Sequence, residues 1–352
     1  VDDVGALKPN AAFWAGKRVF LTGHTGFKGG WLSLWLHELG AIVAGYALAP
    51  ETTPNFFSVC DVASVLQHRI GDVRDAATLT AAMAAFEPEI VFHLAAQPLV
   101  RASYAMPVET FATNIMGTVN LLDAARKMPS IAVVIIVTSD KVYASTDIRH
   151  DETSRLGGQD PYSASKACAE LVTASFPMPG QNIASVRSGN VIGGGDWAAE
   201  RLLPDFFRSV FAGQAWKIRN PHAIRPWQHV LDPLCGYLLA AEFLSAKKPA
   251  HREIWNFGPE AESEVAVCEI AMRLCALWGE DATYHVEPQQ NAPHEAAVLR
   301  LESAKAKREL GWQPGWDLDQ ALGATADWFR AYHAAKNMTA FTQMQIKAYC
   351  KP

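Results

Sequence analysis

The chain has 352 residues, 49% of them apolar and 19% charged, which suits two ordinary domains or one large one with a sizeable core and excludes a disordered chain. Lys and Arg number 31 against 36 Asp and Glu, so the net charge is -5. No basic excess marks the chain for nucleic acid or for an anionic membrane surface.

In chain order, short apolar runs alternate with longer amphipathic ones. Strands are expected at 18–22, 42–48, 89–94 and 131–137, with a short third strand before Gly71. Helices are expected between them at 27–39, 76–86 and 108–127. Near-continuous apolar strands alternating with helices predict a parallel sheet covered on both faces. Right-handed crossovers then give a doubly wound α/β fold of Rossmann type, with ligands at the C-terminal strand ends. A helix at 161–176, opened by Pro161, and a strand at 182–187 continue the rhythm. Beyond Gly193 the alternation breaks up, and Gly, Pro and Trp become frequent. The expected division is 1–192, mainly dinucleotide-binding, and 193–352, mainly a smaller α/β substrate-binding lobe, with crossing of the chain between them allowed. A long helix is expected at 317–336, and the segment after it carries no clear pattern.

No run approaches the roughly 18 apolar residues of a spanning helix, and residues 1–10 lack the basic start of a signal peptide. The six cysteines form no C-x-x-C pair. A reduced, cytoplasmic protein without a metal site or structural disulfides is expected.

The sharpest early motif is Gly23-x-x-Gly26-x-x-Gly29, which follows a strand and opens a helix. Glycine permits the tight turn and a close backbone approach, and the helix N-terminus offers free N–H groups to a pyrophosphate. The second strand, by contrast, ends without the acid that marks NAD and without the Arg or Lys that marks NADP. Asp72, after the third strand, is a candidate for the adenine end or an ordinary solvated turn.

Tyr162 and Lys166 stand four apart, on one helix face. An ammonium stabilises a phenolate, so the pair is a candidate base. Thr138-Ser139-Asp140-Lys141 closes the 131–137 strand, where a doubly wound sheet keeps its chemistry.

Gly23-x-x-Gly26-x-x-Gly29, the His93-Leu-Ala-Ala-Gln97 stretch, Ser139 and Tyr162-x-x-x-Lys166 together resemble the extended short-chain dehydrogenase/reductase family over about residues 16–311. The acid–base pair Asp140 and Lys141 after the serine resembles the nucleotide-sugar 4,6-dehydratases within it. Four stretches, beginning at Thr22, Thr138, Gly189 and Arg225, are similar to the branch acting on CDP-linked glucose.

The resemblance implies tightly held NAD in a cleft of Gly23, Thr25, Gly26, Phe27, Lys28, Gly29, Asp72, Val73, Leu94, Ala95, Ala96, Tyr162 and Lys166. It implies oxidation at C4 by Tyr162 with Ser139 and Lys166, then loss of water across C5 and C6 with Lys141 and Asp140, and return of hydride to C6. Lys141 is a departure, since the related dTDP-glucose enzymes carry Glu there. Arg225 and Asn190 are the expected substrate contacts, with Arg201 and Arg300 as second choices; His294 is left unassigned. A homodimer through the 108–127 and 161–176 helices, or a tetramer of such dimers, is implied. So is a biosynthetic setting, the supply of deoxyhexoses for bacterial lipopolysaccharide O-antigen. The competing readings are a dehydratase or epimerase for another nucleotide sugar and a non-catalytic NAD-binding protein.

Overall fold

A computed structural model describes residues 6–144, 148–279, 282–287 and 298–351. Its centre is a sheet of β1 (Arg18–Thr22), β2 (Ile42–Ala47), β3 (Gln67–Ile70), β4 (Ile90–His93), β5 (Val133–Val137), β6 (Asn182–Ser188) and β7 (Arg252–Phe257). The order is β7-β6-β5-β4-β1-β2-β3, and every pair is parallel. β4, β5 and β6 are buried along their whole length, as expected for strands covered on both faces.

Alternate side chains of β1 feed two separate cores. Val19 and Leu21 join Trp31, Trp35 and Leu234 on one face, under the Phe27–Glu38 and Leu231–Ser245 helices. Phe20 joins Leu79, Met83 and Leu121 on the other, under Ala76–Phe86 and Gly117–Ala125. The strand order reverses between β1 and β4, which opens a crevice at their C-terminal ends.

The expected 108–127 helix is interrupted. Pro107–Phe111 and Gly117–Ala125 flank a wide helical turn, Ala112–Met116. Asn114 lies in that turn, where Nδ2 donates to Ser165 Oγ at 2.8 Å and Oδ1 accepts from Gln97 N at 2.8 Å. It ties the loop after β4 to the Pro161–Ser175 helix.

Residues after 193 supply β7 to the main sheet as well as short strand pairs of their own, among them Ile224–Pro226 against Glu264–Ala266. The C-terminal segment is the Met338–Tyr349 helix. Tyr349 OH donates to Asp232 Oδ1 at 2.9 Å, fastening it to the Leu231–Ser245 helix. Among the described residues no helix is long and apolar enough to cross a membrane.

Candidate active site

The Gly23 loop is built for a backbone approach. Gly23 has φ +80°, and a Cβ there would lie 2.7 Å from Ala95 N; a Cβ on Gly29 would lie 2.1 Å from Gly23 O. The Phe27–Glu38 helix starts at Gly26 with no side-chain cap, so its first N–H groups are left to a ligand. All thirteen residues expected to hold the cofactor line a single cavity here. A dinucleotide therefore fits the residues present.

Two details of that cavity differ from the sequence picture. The Asp72 carboxylate is held by Arg74, with Nε–Oδ2 at 2.8 Å and Nη2–Oδ2 at 2.6 Å, and the hydrogen bonds from Arg74 keep its carboxyl below the usual range. Glu51, four residues past β2, also lines the cavity. The sequence reading looked for an acid at the strand end and missed one displaced by a short loop.

A second cavity is lined by Ser139, Asp140, Lys141, Tyr162, Asn190, Arg201 and Arg225. Tyr162, Thr138, Lys28 and Arg201 line both cavities, so the two meet at the tyrosine.

β5 delivers Ser139, which caps the short turn Asp140–Val142 by accepting from Lys141 N at 3.2 Å. Ser139 Oγ donates to Asp140 Oδ1 at 3.1 Å, and Lys141 Nζ lies 3.4 Å from the same oxygen. Asp140 Oδ2 is buried with no hydrogen-bond partner among the described residues. Tyr162 occupies the first turn of Pro161–Ser175, whose Asp160 cap accepts from Ser163 N at 2.9 Å. Burial raises the Tyr162 phenol, while the Lys141 charge and the Ser139 hydroxyl pull it down. Lys141 is thus the largest opposing charge at the phenol, a part the sequence reading gave to Lys166. Lys166 Nζ donates to Val137 O at 3.0 Å; burial lowers its ammonium to about 8, against the Glu170 charge.

Arg201 Nη1 donates to Asp196 Oδ2 at 2.9 Å. Arg225 is buried in the Ile224–Pro226 strand and donates to Ile224 O at 2.9 Å. Asn190 presents a buried Oδ1 with no hydrogen-bond partner among the described residues. Arg300 sits apart from the cavity lining, its Nε 3.3 Å from Glu264 Oε2. His294 lies outside the described residues. Among the described residues no group of three His, Cys, Asp or Glu is arranged to hold a metal ion.

The family model for GDP-mannose 4,6 dehydratase matches residues 20–325. A CDP-glucose 4,6-dehydratase of Salmonella typhimurium is 47% identical over 349 residues, 96% of this chain and 97% of that one. A dTDP-glucose 4,6-dehydratase of Neisseria gonorrhoeae is 30% identical over 73% of this chain and 79% of its own. A crystal structure of UDP-glucose-4-epimerase from Stenotrophomonas maltophila superposes with a TM-score of 0.79 at 22% identity, covering 91% of this chain and 99% of that one; it shares the fold. With that fold, the glycine cradle and the Ser139/Tyr162/Lys166 cluster in place, the chain belongs to the GDP-mannose 4,6 dehydratase family, nucleotide-sugar dehydratases of the extended short-chain dehydrogenase/reductase type.

Proposed function

We propose that this protein is a hydro-lyase that converts CDP-glucose to CDP-4-keto-6-deoxy-glucose, with NAD as internal redox cofactor. The observation that carries the reading is the acid–base pair Asp140/Lys141 beside Tyr162, where the two cavities meet, in a chain 47% identical to a CDP-glucose 4,6-dehydratase along nearly its whole length. Glu51 in the cofactor cavity supports NAD, because a carboxylate repels a 2′-phosphate.

Bound NAD would supply a reversible two-electron store, taking hydride from C4 and giving it back at C6. Tyr162, as phenolate, takes the C4 hydroxyl proton while Ser139 hydrogen-bonds the oxygen. The cations Lys141 and Lys166 hold that phenolate charge. A C4 ketone makes the C5 proton acidic, and Lys141 accepts it as the neutral amine once its ammonium proton has passed to Asp140, whose Oδ1 lies 3.4 Å away; the ammonium so re-formed carries the enolate charge. Asp140, protonated in that exchange, gives its proton to the departing C6 hydroxyl through Oδ2, which no group among the described residues engages. Water leaves from C6 with that proton, so the first product is the unsaturated ketone. Arg225 and Arg201, with Asn190, suit the substrate's polar end and its diphosphate; Arg300 is the more distant candidate.

The reading extends to a homodimer. Val108 (80% exposed), Met116 (50%) and Leu171 (58%) are apolar and open to solvent on the Pro107–Phe111, Ala112–Met116 and Pro161–Ser175 segments. The six free cysteines support a reducing, cytoplasmic setting, and the product class supports a place in deoxyhexose and O-antigen supply.

The test is a substrate panel read by mass spectrometry, with NAD supplied and CDP-, dTDP-, UDP- and GDP-glucose and GDP-mannose offered separately. Loss of one water from CDP-glucose alone is expected. Water loss from another sugar nucleotide keeps the chemistry and overturns the base preference. No water loss from any of them overturns the dehydratase reading.

A further inference from the structure

Lys28 sits between the second and third glycines of the loop, at the second position of the Phe27–Glu38 helix. Its side chain crosses to the end of β6, where Nζ donates to Ser188 Oγ at 2.8 Å. Ser188 Oγ in turn lies 2.9 Å from the buried Tyr237 OH. Its hydrogen-bond partner is therefore a neutral hydroxyl. Among the described residues it forms no ion pair.

Its surroundings are cationic. Burial, then the charges of Arg201, Lys166 and Lys141, push the ammonium down to about 7, and Asp140 alone pulls the other way. A half-buried cation with no ion-pair partner is costly to keep. The place is also particular, since Lys28 lines both cavities together with Tyr162. On the function proposed above, each cavity takes a ligand with a diphosphate, and the lining carboxylates Asp140 and Asp196 are paired with Lys141 and Arg201 rather than with Lys28.

We propose that the Lys28 ammonium is a diphosphate ligand at the junction of the two cavities, and that the incoming diphosphate supplies the negative charge the protein withholds. The proposal rests on the reading of the two cavities as cofactor and nucleotide-sugar sites. The anion holds the lysine in its charged form, so at mildly alkaline pH the binding step takes up a proton. Of the groups nearby, burial raises the Tyr237 phenol out of that range, whereas Lys166, lowered by burial to about 8, also titrates there, so the uptake that belongs to Lys28 is the part its substitution removes.

The experiment is isothermal titration calorimetry of the full chain at about pH 8, with NAD and with CDP as separate probes, in two buffers of different ionisation heat. Wild type, Lys28→Met and Lys28→Arg are compared. The expected result is proton uptake by the wild type with at least one probe. For that probe Lys28→Met weakens Kd about tenfold or more, the scale of a charge-assisted hydrogen bond, and reduces the uptake. Lys28→Arg restores affinity with the same reduced uptake, because an arginine stays charged throughout. Loss with NAD alone assigns the dinucleotide's diphosphate, loss with CDP alone the nucleotide sugar's, and loss with both a bridging role. Unchanged Kd values in Lys28→Met, or uptake undiminished in it, overturn the proposal. If Lys28→Met does not fold, Lys28→Arg decides, and uptake equal to that of the wild type overturns it. A wild type that binds NAD but not CDP overturns the substrate reading instead, and the NAD arm still decides the lysine.

Discussion

Glu170 and Arg187 meet inside the molecule as a two-point ion pair, Nε–Oε1 at 2.7 Å and Nη2–Oε2 at 2.5 Å, each side chain 1% exposed. Glu170 lies one turn beyond Lys166 on the helix that also carries Tyr162. It accepts from Thr138 Oγ1 at 2.5 Å, next to Ser139, and Arg187 on β6 donates to Tyr143 OH at 2.8 Å. The pair therefore locks the catalytic helix to the strand ends that hold the serine.

Removing one partner leaves the other charge buried. Glu170→Ala is expected to cost about 3–5 kcal/mol of stability, read as a fall in the urea midpoint. The milder Glu170→Gln tests the electrostatics. Glu170 raises the Lys166 ammonium, so without its charge Lys166 loses its proton at lower pH. On the proposed function the charged Lys166 shares with Lys141 in holding the phenolate, so the alkaline limb of the kcat profile is expected to move to lower pH. An unmoved limb assigns Glu170 to packing alone.

Lys141 carries two separable parts. Lys141→Met is expected to leave C4 oxidation possible, seen as the near-ultraviolet absorbance of enzyme-bound NADH, while solvent deuterium no longer enters C5. Lys141 is also the largest charge lowering Tyr162. Its loss lets the phenol rise further, and the acid limb of the oxidation step shifts to higher pH. Normal deuterium entry removes Lys141 from the C5 step.

Most of the sheet was legible because its strands announce themselves locally. Val133–Val137 is an unbroken β-branched run, and the glycine spacing at 23, 26 and 29 can be read without any knowledge of tertiary contacts. β7 was not legible: Arg252-Glu-Ile-Trp-Asn-Phe opens with two charged residues and is a strand because β6 offers it an edge. The break at Ala112–Met116 was hidden as well, since Asn114 turns inward for Gln97 and Ser165, which are distant in sequence. For the same reason Glu170 and Arg187 look like ordinary surface charges until the helix is laid on the strand. Glu51 is not legible either, because the loop that carries it back to the cleft from the strand end has no local signature.

Arg225 lies buried in a short strand, with its side chain in the lining of the substrate cavity. A guanidinium there suits a phosphate better than any neutral side chain. Arg225→Met is expected to raise KM for the nucleotide sugar about tenfold or more, with the KM for NAD little changed. An unmoved KM for the sugar nucleotide takes Arg225 out of the site.

Gly29 tests the cradle itself. A methyl group at this position would lie 2.1 Å from Gly23 O, and backbone cannot yield as a flexible side chain can. Gly29→Ala must therefore push the loop and the helix start apart, at a cost of about 1–3 kcal/mol. The N–H groups that would face the pyrophosphate move with it. The purified variant is expected to retain less NAD than wild type and to melt earlier. Full retention of cofactor would place the pyrophosphate elsewhere.

The apolar face on Pro107–Phe111, Ala112–Met116 and Pro161–Ser175 makes the assembly testable without touching the chemistry. Val108 and Leu171 are among the most exposed large apolar side chains described. Neither lines the cavities described above. Surface substitutions of this kind change monomer stability by only about 0.5 kcal/mol, whereas like charges set across a two-fold interface oppose association. Val108→Asp combined with Leu171→Asp is expected to halve the mass seen by light scattering while leaving the fold's circular dichroism unchanged. A wild type that is already monomeric, or a double variant of undiminished mass, would assign this face to something other than self-association.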